Sequence, residues 1–356
     1  MIKLQNKMIE RGENISMSTI QKINNVDDLL INCPANKTIK EAFVKAYNII
    51  NNLKYQKIFL SISGGADSDV MLDVCWRVDK DNKIEYVFFD TGIEYLATKD
   101  HLSYLENKYN ISIKRLKASV PVPLGVKKYG QPFLSKDASS QIRSLQNNNF
   151  DFANDGSKNY DELLVKYPKC KSALKWWCNM KGDYGIKHMA FLKEFMIENP
   201  PTFLISPRCC EGAKKRPSKQ YEKESKVNLK CLGLRRSEGG VRATAIQSCF
   251  SDNSDKQKKY DDFYPIYWFS NQDRLEYEDF YEVKHSRCYT DYGFLRTGCA
   301  GCPFNARFEI DLSQIEKYEP KLYKAINNIF KESYEYTRKY RLFRDEKKKK
   351  KKEEKK

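Results

Sequence analysis

The chain has 356 residues, 40% of them hydrophobic and 13% aromatic, enough for one large or two modest packed domains. No apolar run approaches the ~20 residues that a membrane-spanning helix requires, and Met1–Ser18 is polar and lacks the apolar stretch of a secretory signal. We therefore expect a soluble, cytoplasmic protein with no membrane partner; Met8 and Met17 are alternative starts. The formal net charge of +17, of which residues 347–356 supply +6, suits anionic partners: a nucleotide, a sulfate ester or nucleic acid. A generally Lys- and Asn-rich sequence with solvated lysines would carry the same balance.

Residues 1–40 read as a polar segment with a helix or two around Ile20–Leu30. Glu41–Asn52 is an amphipathic helix by its period. Ile58–Ile62 is a buried strand, and Val70–Val78 continues as an apolar-periodic helix that starts near Asp67. Ile84–Asp90 is a second buried strand, Tyr95–Tyr109 a helix and Ile111–Leu116 a third strand. Asn147–Lys158 reads as a loop, Asp161–Lys166 and Lys187–Glu198 as helices, and Phe203–Ser206 and Leu229–Leu234 as short strands. Beyond Phe263 the chain is aromatic and turn-rich, and it closes with a helix around Leu322–Tyr340. Strands alternating with helices predict a parallel sheet covered on both faces, with ligands beyond the carboxyl ends of its strands.

The sequence Ser63-Gly64-Gly65-Ala66-Asp67-Ser68 joins the first strand to the first long helix. Two glycines remove the side chains that would keep a phosphate from the backbone. Ser63 and Ser68 add hydroxyl donors, and the helix start offers free N–H groups and a positive dipole end. The order strand, glycine turn, helix suits a nucleotide phosphate. It is neither a Walker A loop nor a GxGxxG turn.

Eleven cysteines without a secretory signal argue for thiol, metal or redox chemistry rather than a disulfide framework. Cys209-Cys210 and Cys299-Ala-Gly-Cys302 are two close pairs far apart in sequence, the way a chain encloses a metal ion or an iron–sulfur cluster. Gly298 and Gly301 permit a tight turn there and Pro303 ends it. Adjacent cysteines diverge, which suits a cluster better than one tetrahedral Zn²⁺. Cys249 and Cys288 are additional candidates, and reduced thiols in a packed turn are the bland alternative.

The SGGxDS loop resembles the signature of the PP-loop (adenine nucleotide alpha hydrolase-like) superfamily. Loop, Cys-Cys and CxxC in this order resemble the phosphoadenosine phosphosulfate (PAPS) reductase family over about residues 40–310. Further elements agree: Asp90-Thr91-Gly92 with Glu94, Lys127–Pro132 with Ser135-Lys136, Lys214-Lys215 with Pro217 after the cysteine pair, Gly233, Arg235, Ser237 and Glu238 with Arg242, Pro265 and Trp268 with Asp273, and Arg296 before Cys299. The resemblance implies an α/β, parallel-sheet, Rossmann-type (HUP-like) PP-loop domain over 41–255. It would be followed by an aromatic, cysteine-containing C-terminal part over 256–343 and a disordered basic tail over 344–356.

It further implies ATP or adenylyl sulfate at the loop, with Ser63, Gly64, Gly65, Asp67 and Ser68 at the phosphates and Asp90, Thr91 and Gly92 near the nucleoside. Lys214, Lys215, Arg235 and Arg242 would offer charge to sulfate or phosphate, which the arginine fork binds bidentately; Asp67, Lys214, Arg235 and Arg242 are the catalytic candidates. Cys209, Cys210, Cys299 and Cys302 would hold [4Fe–4S], with Cys249 as an alternative ligand and Zn²⁺ as the alternative metal. The implied activity is sulfur transfer or sulfonucleotide reduction with a thiol or electron-donor protein. The alternatives are a PP-loop ATP pyrophosphatase that adenylates a nucleic acid for sulfur modification, and a nucleotide-binding protein without chemistry. Assimilatory reductases of the family place a nucleophilic cysteine near the C-terminus, whereas here none follows Cys302. His101, His188 and His285 fall in no motif.

Overall fold

A computed structural model of the chain describes residues 21–23, 25–239, 244–253 and 259–354. It contains a six-stranded, mostly parallel sheet: β1 (Ile58–Ile62), β2 (Ile84–Asp90), β3 (Ile113–Lys117), β4 (Leu229–Cys231), β5 (Phe250–Ser251) and β6 (Asp261–Phe263), in the order β3-β2-β1-β4-β6-β5. β4 pairs parallel with both β1 and β6, and β5 runs antiparallel to β6 at the edge. After β1 the chain moves to β2 on one side, and β4 is added on the other. The carboxyl end of β1 is thus the point where strand order reverses, the usual ligand position of such sheets.

Contacts divide the chain into two compact units, interleaved in sequence. The first comprises residues 1–87, 101–114 and 225–286; the second comprises 88–100, 115–224 and 287–356. This partition differs from a boundary near 255, because the chain returns to the sheet only with β4, long after leaving it at β3.

In the first unit β1 and β6 are buried along almost their whole length, as expected of strands covered on both faces. The helix Ala66–Val78 is buried nearly throughout, which places polar residues in the interior. Asp73 lies there with no exposure and accepts hydrogen bonds from Arg77 Nε (2.6 Å), Tyr109 OH (2.8 Å) and Tyr277 OH (2.6 Å). The Arg77 guanidinium stacks on Tyr281, 4.1 Å from the ring centre. A buried carboxylate is tolerated only when its lone pairs are filled in this way. The cluster ties the helix Asn271–Phe280 to Ala66–Val78 and to the helix Leu96–Tyr109.

The second unit holds two apolar clusters. One gathers Phe133, Ile142, Phe150, Trp176, Trp177 and Phe195. The other includes Ile93, Tyr95, Val126, Phe308, Ile326 and Tyr334, and Cys209 is part of it. The closing helical region is two helices, Pro320–Ile329 and Lys331–Glu353, separated at Phe330. The basic tail expected to be disordered continues the second of these as far as Glu353. Lysine is a good helix former, and Tyr334, Tyr336 and Tyr340 bury the first half of that helix, so nucleation is already provided for the rest. Phe203–Ser206 forms no strand of its own; Ile205 makes a single parallel bridge to Gln131. Among the described residues no helix is long and apolar enough to cross a membrane.

Candidate functional site

The turn after β1 forms as its residues require. Gly64 takes a left-handed conformation (φ 69°) that a side chain would strain. Gly65 is the N-cap of the helix Ala66–Val78 and caps it with no side-chain hydrogen bond; its carbonyl oxygen accepts from the N–H groups of Ser68 (2.8 Å) and Asp69 (3.0 Å). Ser68 Oγ instead accepts from the backbone N–H of Ser63 (3.0 Å), and Ser63 Oγ from that of Gly65 (3.3 Å), folding the loop back on itself. Gly233, just past β4, explains its own identity: a Cβ there would come within 3.0 Å of the Asp67 carbonyl oxygen.

Asp67 faces cations. Arg235 Nε donates to Asp67 Oδ1 (2.8 Å), while Arg235 Nη1 donates to Ser237 Oγ and Asn271 Oδ1 (both 2.9 Å). Arg274 Nε lies 3.6 Å from the same Asp67 oxygen. Burial raises the Asp67 pKa above the ordinary carboxylate value, and Arg235 opposes that rise. The Ser237 and Glu238 positions thus sit in a segment whose arginine is a strut for the loop. Arg242 lies outside the described residues.

Sequence reasoning missed what stands behind the loop. Asp69, almost fully buried, receives two histidines: His101 Nε2 at 2.9 Å and His285 Nδ1 at 2.8 Å from Asp69 Oδ2. His285 Nε2 lies 2.9 Å from Glu278 Oε1, to which Arg274 Nη1 donates at 2.5 Å. Burial would lower the His285 pKa, but the two carboxylates outweigh it and raise it to about 9. For Asp69 burial is likewise the largest influence and is outweighed, here by His101 and His285, so its pKa falls. Asp67, Arg274, Glu278, His285, Asp69 and His101 therefore form one chain of charges under the helix start. Its partners are too far apart in sequence for any motif to flag them.

In the second unit, Asp90, Thr91 and Gly92 follow β2 in a turn closed from within. Gly92 N–H donates to Asp90 Oδ1 (2.8 Å), and Thr91 donates through its backbone N–H (3.1 Å) and Oγ1 (2.6 Å) to Glu94 Oε1. Gly92 has φ 86°, and a Cβ on it would stand 2.9 Å from Pro121 Cβ. Glu94 is buried, which raises its pKa, and Lys214 is the main opposing charge.

The two cysteine pairs are brought to one neighbourhood in this unit, where Cys210 and Cys299 pack against the cluster containing Cys209. The Cys299–Cys302 turn is closed by Cys302 N–H to Cys299 O (3.3 Å) and held by Ala300 N–H to Ile93 O (3.0 Å). Of its glycines, Gly301 is the demanding one. It has φ 59°, and a Cβ would meet Ile326 Cδ1 at 2.5 Å and Tyr334 OH at 2.6 Å. Gly298 has open space around it.

Cys209-Cys210 leads into a wide turn, Glu211–Lys215, before the helix Arg216–Glu224. Pro217 lacks the N–H that a regular helical bond would need there. A hydrogen bond with Cys209 lowers the Cys210 pKa, helped by Lys136, Lys214 and Lys215. Burial raises Cys299, and raises Cys302 to about 12. Much of Lys214 is solvent-accessible, yet its ammonium is crowded enough that desolvation is the largest influence on it. Cys299, Glu94 and Cys210 outweigh this and raise its pKa. Among the described residues no three Cys, His, Asp or Glu side chains close on a single metal ion. Cys249 sits in the first unit, buried with Tyr264 and Tyr267. Cys288 is buried in the second, 3.8 Å from Thr98 Oγ1. An open depression of about 370 Å³ near Phe150, Pro200 and Phe203 includes none of the predicted residues.

With this geometry in view, residues 57–162 match the model of the phosphoadenosine phosphosulfate reductase domain. Over these residues the chain is similar to that domain. The match covers under a third of the chain, and it includes the glycine turn and the Asp90–Glu94 segment but neither cysteine pair. No curated protein sequence matches.

Three of the solved structures that resemble the chain are the following. The PAPS reductase of Candida auris in a phosphate complex is 13% identical over 78% of this chain and 97% of its own, with a TM-score of 0.39. The U34-tRNA thiolase NcsA of Methanococcus maripaludis with its [4Fe-4S] cluster is 14% identical over 86% and 80%, with a TM-score of 0.37. The NH3-dependent NAD synthetase of Campylobacter jejuni in complex with nitrate is 12% identical over 84% and 95%, with a TM-score of 0.35.

Proposed function

We propose that the chain is a PAPS-reductase-like protein that binds an adenine nucleotide, adenylyl sulfate or ATP, at Ser63–Ser68 and serves a sulfur-transfer or sulfonucleotide-reduction reaction. The observation that carries this is the glycine turn into a helix start, with no side-chain cap, at the carboxyl end of β1, where strand order reverses. The N–H groups of the helix start and the hydroxyls of Ser63 and Ser68 would take the phosphates. Asp67 would not touch phosphate, which its charge repels; it would hold Arg235 and Arg274 toward the loop.

The donor set of the two cysteine pairs is of the kind an iron–sulfur cluster takes: four thiols in one unit, with lysines beside Cys210 that favour its thiolate. Cys209, Cys210, Cys299 and Cys302 would hold it. Bound there, a cluster would supply a soft, redox-capable iron centre. The role of Lys214 and Thr91 would be to hold charge and hydrogen bonds beside Cys299.

The test is anaerobic purification with iron and sulfide analysis, followed by turnover. Sulfite release from adenylyl sulfate with a thiol donor supports the reading. Pyrophosphate release from ATP, stimulated by DNA or tRNA, would replace it with adenylation of a nucleic acid, the alternative that the +17 charge favours. A colourless, iron-free protein would refute the cluster.

A further inference from the structure

The second half of the helix Lys331–Glu353 carries the densest charge of the described residues. Its first half is fixed: Tyr334, Tyr336 and Tyr340 are buried, Tyr336 OH donates to Asn199 O (2.8 Å), and Arg338 makes two bonds to Glu309 (2.8 and 3.0 Å). Lys347 is the last anchored residue, 3.4 Å from Glu194 and 3.3 Å from Glu198. Beyond it Lys348, Lys349, Lys350, Lys351 and Lys352 are all exposed, and among the described residues none of them makes an ion pair. Lys351 has only the Phe191 ring, 4.7 Å away.

Adjacent lysines on a helix repel one another at the i,i+3 and i,i+4 spacings; Asp345 and Glu346 before the run and Glu353 and Glu354 after it offset part of that charge and leave a net positive end. We infer that Lys348–Lys352 is a docking surface for the phosphate backbone of a nucleic acid. At 3.6 residues per turn, two or three of the five lysines share any one side of the helix, and their long, flexible stems can reach the phosphates of a duplex. Lysines without arginine or aromatic neighbours in the run give point charges, suited to phosphate contact and not to base reading or stacking. A membrane surface fits less well: from Arg344 to Lys356 there is no apolar residue to enter a bilayer. The surface would bind without sequence preference. It does not rest on the nucleotide reading, since Ser63–Ser68 takes no part in it.

The test compares the full chain with a variant carrying Lys→Gln at 348, 349, 350, 351 and 352, using a labelled random-sequence DNA duplex at 50–200 mM KCl. With the two or three lysines of one side on phosphate, the slope of log K against log salt becomes shallower by about 2 to 3 in the variant. For the wild type that contribution alone is a loss of about 10- to 40-fold between 50 and 200 mM salt. Far-UV circular dichroism should show helix content unchanged or raised on binding. An unchanged slope and affinity in a variant with wild-type thermal unfolding would overturn the inference. So would tighter binding to phosphatidylserine vesicles or to polyglutamate than to the duplex. A Gly65→Asp variant should keep its duplex affinity, which separates this result from failure of the nucleotide reading.

Discussion

Replacing His285 by glutamine should flatten the pH dependence of stability in a defined window. His285 lies between Asp69 Oδ2 (2.8 Å) and Glu278 Oε1 (2.9 Å), and these raise its pKa from 6.5 to about 9. A group whose folded pKa is raised contributes stability that is complete below its unfolded value and is lost as pH rises through the folded one. The contribution is therefore full below about pH 6.5 and gone above about 9. At 1.36 kcal/mol per pKa unit the upper bound is about 3 kcal/mol, and sharing of the carboxylates with His101 and Arg274 brings it to about 2. Asp69 shifts the other way: its lowered pKa gives stability that disappears only as pH falls below the ordinary carboxylate range. Urea unfolding of wild type and His285→Gln at pH 6 and pH 9.5 isolates the term from all other titrating groups. The stability difference should shrink by about 2 kcal/mol at the higher pH. A difference that stays constant across the window would refute the reasoning, since it would mean His285 is neutral between its two carboxylates.

Asp73→Ala should cost about 3–5 kcal/mol in denaturant unfolding, because Arg77 is left as an uncompensated buried cation beside two unpaired tyrosine hydroxyls. Gly301→Ala should lower the thermal midpoint and the iron content together; its Cβ meets Ile326 and Tyr334 below 3 Å and the backbone is left-handed, a cost of about 1–3 kcal/mol. Gly298→Ala, with open space around it, should change neither. Gly233→Ala should weaken nucleotide binding in calorimetry while costing about 1 kcal/mol in unfolding, since its Cβ presses on the loop backbone at the Asp67 carbonyl oxygen (3.0 Å) and Ser68 Cα (3.3 Å).

Legibility in the sequence followed the range of the interactions. β1, β2 and the helix between them came out within a residue or so, because apolar runs and a glycine turn are local signals. The CxxC turn was legible for the same reason, although only the structure separates the strained Gly301 from the free Gly298. Pairing of β1 with β4 joins residues some 170 positions apart, and no local pattern encodes it. The Asp69 cluster was invisible: His101 and His285 are 32 and 216 residues from their partner and stand in no motif. Arg235 was read as an anion binder from its chemistry, while its geometry ties it to Asp67. The basic tail reads as disordered from its composition, which leaves out the tyrosine-anchored helix that it extends.

The central claim is that the glycine turn after β1 holds an adenine nucleotide, and Gly65→Asp tests it most directly. Aspartate is a favourable N-cap, so the helix Ala66–Val78 should be retained or strengthened, while a carboxylate now stands where phosphate would lie. Calorimetric titration with ATP and with adenylyl sulfate should show one site on the wild type and at least a hundredfold weaker binding, roughly, in a variant of equal or higher thermal stability. Equal affinity in the two proteins would contradict the account.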